Sequence, residues 1–210
     1  MRIYFLLILL SVWACDRSAG IQISSQPKAG LTELPTYEIP AIETAEEDLV
    51  LNRSTGSWSL HGIPYSGYSI KRFPDGKLEK KTGFYQGKKQ GKSWAYYPDG
   101  HLKHITPYHK NLVHGRVHNW FGNQGHPPLA IRNYYLGKPH GSYKKWYKSG
   151  QLFKHMNYDL GKEVGLQKAY NENGSLYANY EARNGRSFGL KRAMLCYRLE
   201  DEKISYYEGN

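Results

Sequence analysis

Glycines recurring with a period of about 24 residues organise this chain, an interval typical of stacked repeat units. Gly67, Gly91, Gly115, Gly141, Gly165 and Gly189 each open a similar segment, and the steps between them are equal except for the one from Gly115 to Gly141, which is longer by two. That irregular step coincides with extra residues near Gly125-His126-Pro127-Pro128. A period held over five steps marks a repeat array, in which each unit is too small to bury a core alone and must stack on its neighbours. That constraint outranks any local propensity.

Each unit is built like a β-hairpin. The residues after the lead glycine are aromatic-rich: Trp94, Tyr96 and Tyr97, then Trp120 and Phe121, then Tyr143, Trp146 and Tyr147. A turn follows at Asp75-Gly76, Asp99-Gly100, Ser149-Gly150 and Asn173-Gly174, where glycine supplies a positive φ without a Cβ clash. A returning strand leads to a second turn at Gly87-Lys88, Gly137-Lys138, Gly161-Lys162 and, as a variant, Gly185-Arg186. Two strands of about six to eight residues and two turns fill the period. No stretch of this region keeps a helical period. The spacing predicts an all-β fold: an elongated, single-layer antiparallel meander of stacked hairpins, with eleven or twelve strands and a length of about 50–55 Å.

The pattern Y-x-x-G-K-x-x-G-x-x-x-x-Y-Y-x-x-G-x-L resembles the MORN repeat in its bacterial variant form, over roughly Ser57–Leu195. The resemblance implies a binding scaffold, and some bacterial members of that family carry an antitoxin label. The chain departs from the pattern in its longer third unit, at Asn111, which replaces a turn glycine, and at Asn171, which replaces the second aromatic of the fifth unit.

The start of the chain has a different character. Met1-Arg2 and the apolar run Ile3–Val12 form an export signal, too short to span a bilayer. Its end, Val12-Trp13-Ala14-Cys15, resembles a bacterial lipobox. The resemblance implies cleavage after Ala14 and acylation of Cys15, which would anchor the protein to a membrane of the cell envelope, facing away from the cytoplasm. The alternative is an ordinary signal peptide with a chance cysteine. Two or more acyl chains hold stably where one is marginal. Asp16 resembles an inner-membrane retention signal. From Asp16 to Gly56 there are seven acidic and three basic residues and almost no aromatics, which predicts a flexible tether. Such a coil would hold the array about 35 Å from the membrane. Thr44–Leu51 has the makings of a short helix or of a cover for the sheet. The expected boundaries are therefore a signal peptide over 1–14, an acidic tether over 15–56, the repeat array over 57–195 and a cap over 196–210.

Charge is uneven. The whole chain is +11, and Ser57–Asn210, with 25 basic and 11 acidic residues, carries +14. Solubility and edge protection account for part of such an excess in a one-layer sheet. The other reading is attraction to an anionic partner: an acidic protein, a lipid headgroup or an envelope polymer. Export argues against nucleic acid. With Cys15 acylated, the second cysteine, Cys196, has no intramolecular partner. Its apolar setting, Leu195-Cys196-Tyr197, fits a buried inert thiol, with an intermolecular disulfide as the alternative.

Motifs for chemistry are absent. Gln90-Gly91-Lys92-Ser93 looks like the tail of a phosphate loop, but Gln86 stands where that loop needs glycine. The histidines His101, His104, His109, His114 and His118 have no metal-ligand spacing and read as solvated or stacking rings. There is no G-x-S-x-G and no recurring carboxylate pair. The sequence points to no catalytic residue, metal or cofactor. What remains are two aromatic columns. Tyr96, Trp120, Trp146 and Tyr170 occupy the fifth place after the lead glycine; Phe73, Tyr97, Phe121 and Tyr147 occupy the sixth. Alternation predicts two ladders on two faces, stacked between repeats and lying over the glycines. Such rings are core, or a docking face for a partner protein, with Tyr96, Trp120, Trp146 and Tyr170 as its anchors.

Overall fold

The computed structural model describes residues 34–122, 125–190, 197–200 and 203–206. The expected export signal over 1–14, Cys15 and Cys196 lie outside them. The chain from Thr36 onward forms one unit.

That unit begins inside the stretch expected to be tether. β1 (Glu43–Ala45), a single 3-10 turn (Glu46–Asp48) and β2 (Val50–Asn52) precede β3 (Ser57–Leu60) and β4 (Ile63–Pro64). Strands β2, β3 and β4 form a small sheet of their own, so Ser57–Pro64 does not belong to the long array. The acidic residues there are not simply solvated. Glu43 pairs with Lys81 at 2.6 Å and Glu46 with Lys80 at 2.8 Å, joining the acidic segment to the first basic repeat. The boundary expected at Gly56 thus moves back to Thr36. Composition placed it too late because the charges of this segment find their partners 34 to 38 positions further along the chain.

The repeats follow as β5 (Gly67–Arg72), β6 (Leu78–Tyr85), β7 (Lys88–Tyr96), β8 (Leu102–His109), β9 (Leu112–Val113), β10 (Gly115–Trp120), β11 (Pro128–Tyr135), β12 (Lys138–Trp146), β13 (Leu152–Asp159), β14 (Lys162–Glu163), β15 (Gly165–Tyr170), β16 (Leu176–Arg183) and β17 (Arg186–Leu190). A last hairpin, β18 (Tyr197–Glu200) and β19 (Lys203–Tyr206), completes the described strands. The sheet is open, with order β1-β5-β6-β7-β8-β10-β11-β12-β13-β15-β16-β18-β19. All neighbours are antiparallel except β1, which lies parallel to β5 through Glu43↔Tyr68, Thr44↔Ser69 and Ala45↔Ile70. A short parallel strand of this kind covers an edge that would otherwise offer free backbone groups. At the far end Leu176 of β16 pairs with Leu199 of β18.

Two kinds of turn alternate. At the aspartate-glycine turns only the glycine is left-handed: Gly76 donates to the Phe73 carbonyl and Phe73 to that of Lys77, a type I turn closed by a glycine bulge. Asp75, Asp99 and Asn173 accept the amide two residues on, at 3.1, 3.0 and 3.0 Å, which is why these residue types recur. At the second turns both central residues are left-handed: Gln86-Gly87, Lys110-Asn111, Leu136-Gly137, Leu160-Gly161 and Asn184-Gly185. Asn111, φ 73°, tolerates this better than other side chains and adds two bonds, accepting from the Lys89 amide and donating to the Gly56 carbonyl, each at 2.7 Å.

Four of these five second turns are clipped to the preceding repeat. The second turn residues Gly87, Asn111, Gly137 and Gly161 donate to the carbonyls of Tyr65, Lys89, Val113 and Pro139 at 2.7–2.9 Å. The first turn residues Gln86, Lys110, Leu136 and Leu160 donate to side chains one residue before a lead glycine: Ser66 Oγ (2.8 Å), Gln90 Oε1 (3.0 Å), His114 Nδ1 (3.4 Å) and His140 Nδ1 (3.4 Å). Both donors of a tight turn are thereby satisfied by the neighbour.

Strand alternation sends Ser69, Thr82, Phe84, Ser93, Ala95, Ala169, Ala178 and Ala182 to one face, where all are buried. The hydroxyls of Thr82 and Ser93 bond each other at 2.7 Å. A compact apolar cluster forms where Leu49, Tyr65 and Phe84 meet Trp58 and Leu60. Of the lead glycines, Gly67 lies under a ring, that of Tyr65, but the expected ring-over-glycine packing does not occur at Gly91, Gly115, Gly141 or Gly165. A Cβ on Gly165 would meet nothing within 4 Å; on Gly141 it would meet Asn133 at 3.6 Å; on Gly91, the Ile39 methyl. All three have positive φ, between 68° and 84°, so backbone conformation selects them.

Candidate binding surface

The two aromatic columns do not form two ladders. The fifth-place residues end their strands, each beside a register shift, as between Ala95 and Tyr96 or Lys145 and Trp146. Tyr96, Trp120, Trp146 and Tyr170 are all half-buried. Trp120 stacks on His118 of its own strand, with centroids 5.7 Å apart, and among the described residues no ring pair joins one fifth-place residue to the next. The sixth-place residues lie in the turns. Tyr97 reaches across to donate to the Trp120 carbonyl at 2.9 Å, and Tyr147 donates to that of Tyr170 at 3.0 Å. These hydroxyls join consecutive repeats. Structural work thus falls to the sixth column, and the fifth keeps part of its surface exposed.

On one face, β8 and β10 pair directly only at His118↔Ile105 and Asn119↔His104. A shallow groove of about 450 Å³ opens beside that junction, lined by Lys92, Ile105, Pro107, Arg116, His118 and Trp120. Apolar walls with two cationic edges suit an extended segment carrying apolar and acidic side chains. Burial, followed by Arg116 and Lys92, holds the His118 imidazole below its ordinary pKa.

The opposite face carries a second hollow of about 580 Å³, whose walls include Lys80, Lys89, Ser93, Tyr96, Lys103 and Tyr108. Burial and then Lys80 push the Lys89 ammonium below its ordinary pKa, and burial raises the Tyr108 phenol. Three amines around half-buried rings make this hollow suited to an anion. Tyr96 borders the second hollow and Trp120 the first. Trp146 and Tyr170 line neither. The sequence reading missed Lys80 and Lys89. A signal existed, since Lys80, His104 and Lys154 hold equivalent places in their units.

Arg132 was also missed. Its guanidinium lies 3.9 Å from the Tyr143 ring centroid, with Tyr158 and Tyr134 at 5.9 and 6.0 Å. Three rings from three strands enclose one cation, an arrangement that holds hairpins together without an ion pair. Of the histidines grouped in the sequence, His109 and His114 approach at 6.2 Å, edge to face, and His101 stacks instead on His126 of the following repeat's turn.

No protein-family model and no curated protein matches the chain. Fold and surface define its class: an all-β repeat protein whose long open sheet presents a hollow on each face. Among the described residues no helix is long and apolar enough to cross a membrane.

Proposed function

We propose that this chain is a lipid-anchored envelope protein of the MORN-variant type, held through acylated Cys15, whose repeat sheet binds another protein without catalysis. The observation that supports this reading is the Trp120 groove, where a half-buried indole, Ile105 and Pro107 sit between Lys92 and Arg116. Trp and Arg are favoured anchors of protein interfaces, and a rigid sheet presents them without ordering cost. Crosslinking in cells identifies the partner, and binding of that partner is then measured against salt. Apolar docking in the groove persists in about 0.5 M salt, where the Debye length is a few Å. Trp120→Ala, once shown to fold, weakens it by about 2 kcal/mol, the scale of an interface hot spot.

A second reading is favoured by the Lys80, Lys89 and Lys103 hollow: attachment to an anionic membrane or envelope polymer. Binding that collapses in about 0.5 M salt and ignores Trp120→Ala selects this reading and rejects the first.

A further inference from the structure

The repeat period breaks once, in the third unit, and that break builds a site. In the second unit the turn closes from Tyr97 to His101; in the third it closes from Phe121 to Pro127, two residues longer. The longer arm lays His126 over the preceding turn. Its ring stacks on that of His101, with centroids 3.6 Å apart and planes 16° from parallel. Tyr97 fixes the two turns together: its hydroxyl bonds the Trp120 carbonyl, its ring lies 6.3 Å from His126, and it packs so closely on Gly122 that a Cβ there would come within 2.8 Å of it.

Asp99 faces both histidines. His101 Nδ1 lies 3.4 Å from one carboxylate oxygen and His126 Nε2 lies 3.4 Å from the other. Three ligand atoms, one from each residue, fall within 4.8 Å of one another. The 3.4 Å contacts are long for N–H···O bonds, which cluster near about 2.9–3.0 Å. They reach different oxygens of Asp99, and because an ion lies in the plane of each imidazole that holds it, the exposed His101 ring would turn out of the stack to share one with His126. His126 Nδ1 is buried and has no hydrogen-bond partner among the described residues, so no protein group there fixes the ring's tautomer. The His126 side chain is 17% exposed, whereas those of Asp99 and His101 are 47% and 59% exposed, leaving one side open to solvent.

We propose that Asp99, His101 and His126 bind a divalent transition-metal ion, zinc foremost, with water in the fourth position. Two imidazoles and one carboxylate suit zinc and disfavour magnesium and calcium, which take all-oxygen shells. The ion would link the tips of consecutive hairpins, the second and the third, at the one place where a longer turn lets them meet.

Calorimetric titration of the full-length protein with zinc chloride, in excess magnesium, tests this. One ion per chain is expected, with binding weakened at least about tenfold in both His101→Gln and His126→Gln. His155→Gln, on β13 away from these turn tips, should bind as the parent does. Far-ultraviolet circular dichroism of each variant checks that the sheet remains. Asp99→Asn keeps the turn's acceptor while removing the charge, so its weaker binding separates coordination from turn stability. No saturable uptake below about 1 mM zinc, a loss under tenfold in either histidine variant, or equal binding by Asp99→Asn overturns the proposal.

Discussion

Gly165 shows how little of a glycine's role depends on what surrounds it. Its backbone is left-handed, φ 68°, and an added Cβ would touch nothing. Gly165→Ala should therefore lower stability by about 1–2 kcal/mol, the cost of a left-handed L-residue. Gly165→Asn should cost about half that or less, since asparagine tolerates this region, as Asn111 does at φ 73°. Urea unfolding of both variants decides the point: equal losses would mean that packing, not conformation, selects the glycine. The period of the glycines is legible in the sequence. Its cause is not, because rings in the same repeat suggest packing, and only the backbone angles and the empty space around Gly165 separate the two explanations.

At the scale of the hairpin, repeats are joined by few and specific bonds. Tyr147 donates to the Tyr170 carbonyl of the following unit, as Tyr97 does to that of Trp120. Tyr147→Phe keeps the ring against Phe153, 4.8 Å away, and removes only this link. A loss of about 1 kcal/mol is expected, with faster amide exchange in β13 and β15 than in β5 and β6. Uniform exchange along the array would show that Tyr147 does not couple its neighbours. The fifth unit lacks both devices. Asn171 stands in the tyrosine's place and donates instead to Ser175 Oγ within its own turn, and Val164 stands where Gln90 and His114 accept a turn amide. Gln167 bonds back to the preceding unit: fully buried, it accepts from the Asn157 amide and donates to the Asn157 and Val164 carbonyls. The departure at Asn171 is legible in the sequence; the bonding of Gln167 to Asn157 is not, since nothing in the residue order ties the two.

Over the whole molecule, histidines make stability depend on pH. Burial, reinforced by nearby cations, holds His104, His109, His118 and His155 below their ordinary value. Unfolded, these rings take up protons near about pH 6.5, while folded they resist. The unfolded state then binds more protons, so stability is full above about pH 6.5 and is lost as pH falls through it. The urea midpoint should be lower at about pH 5.5 than at about pH 8. His155→Gln should narrow that difference, and an unchanged midpoint would contradict the burial of these rings.

The residue order by itself determined the all-β class, the hairpin unit, both kinds of turn and the place where the period breaks. Each is written within a few neighbouring residues: a glycine where φ is positive, an aspartate two residues before the amide it caps, an alternation along six or eight positions. Tertiary structure alone decided that acidic residues of the expected tether pair with Lys80 and Lys81, that Tyr96 and Trp120 border different hollows, and that His126 lies on His101. Those contacts join residues far apart in the chain, and their geometry follows from register and turn length. A two-residue insertion is visible in the sequence. Where it carries a side chain depends on the turn it meets.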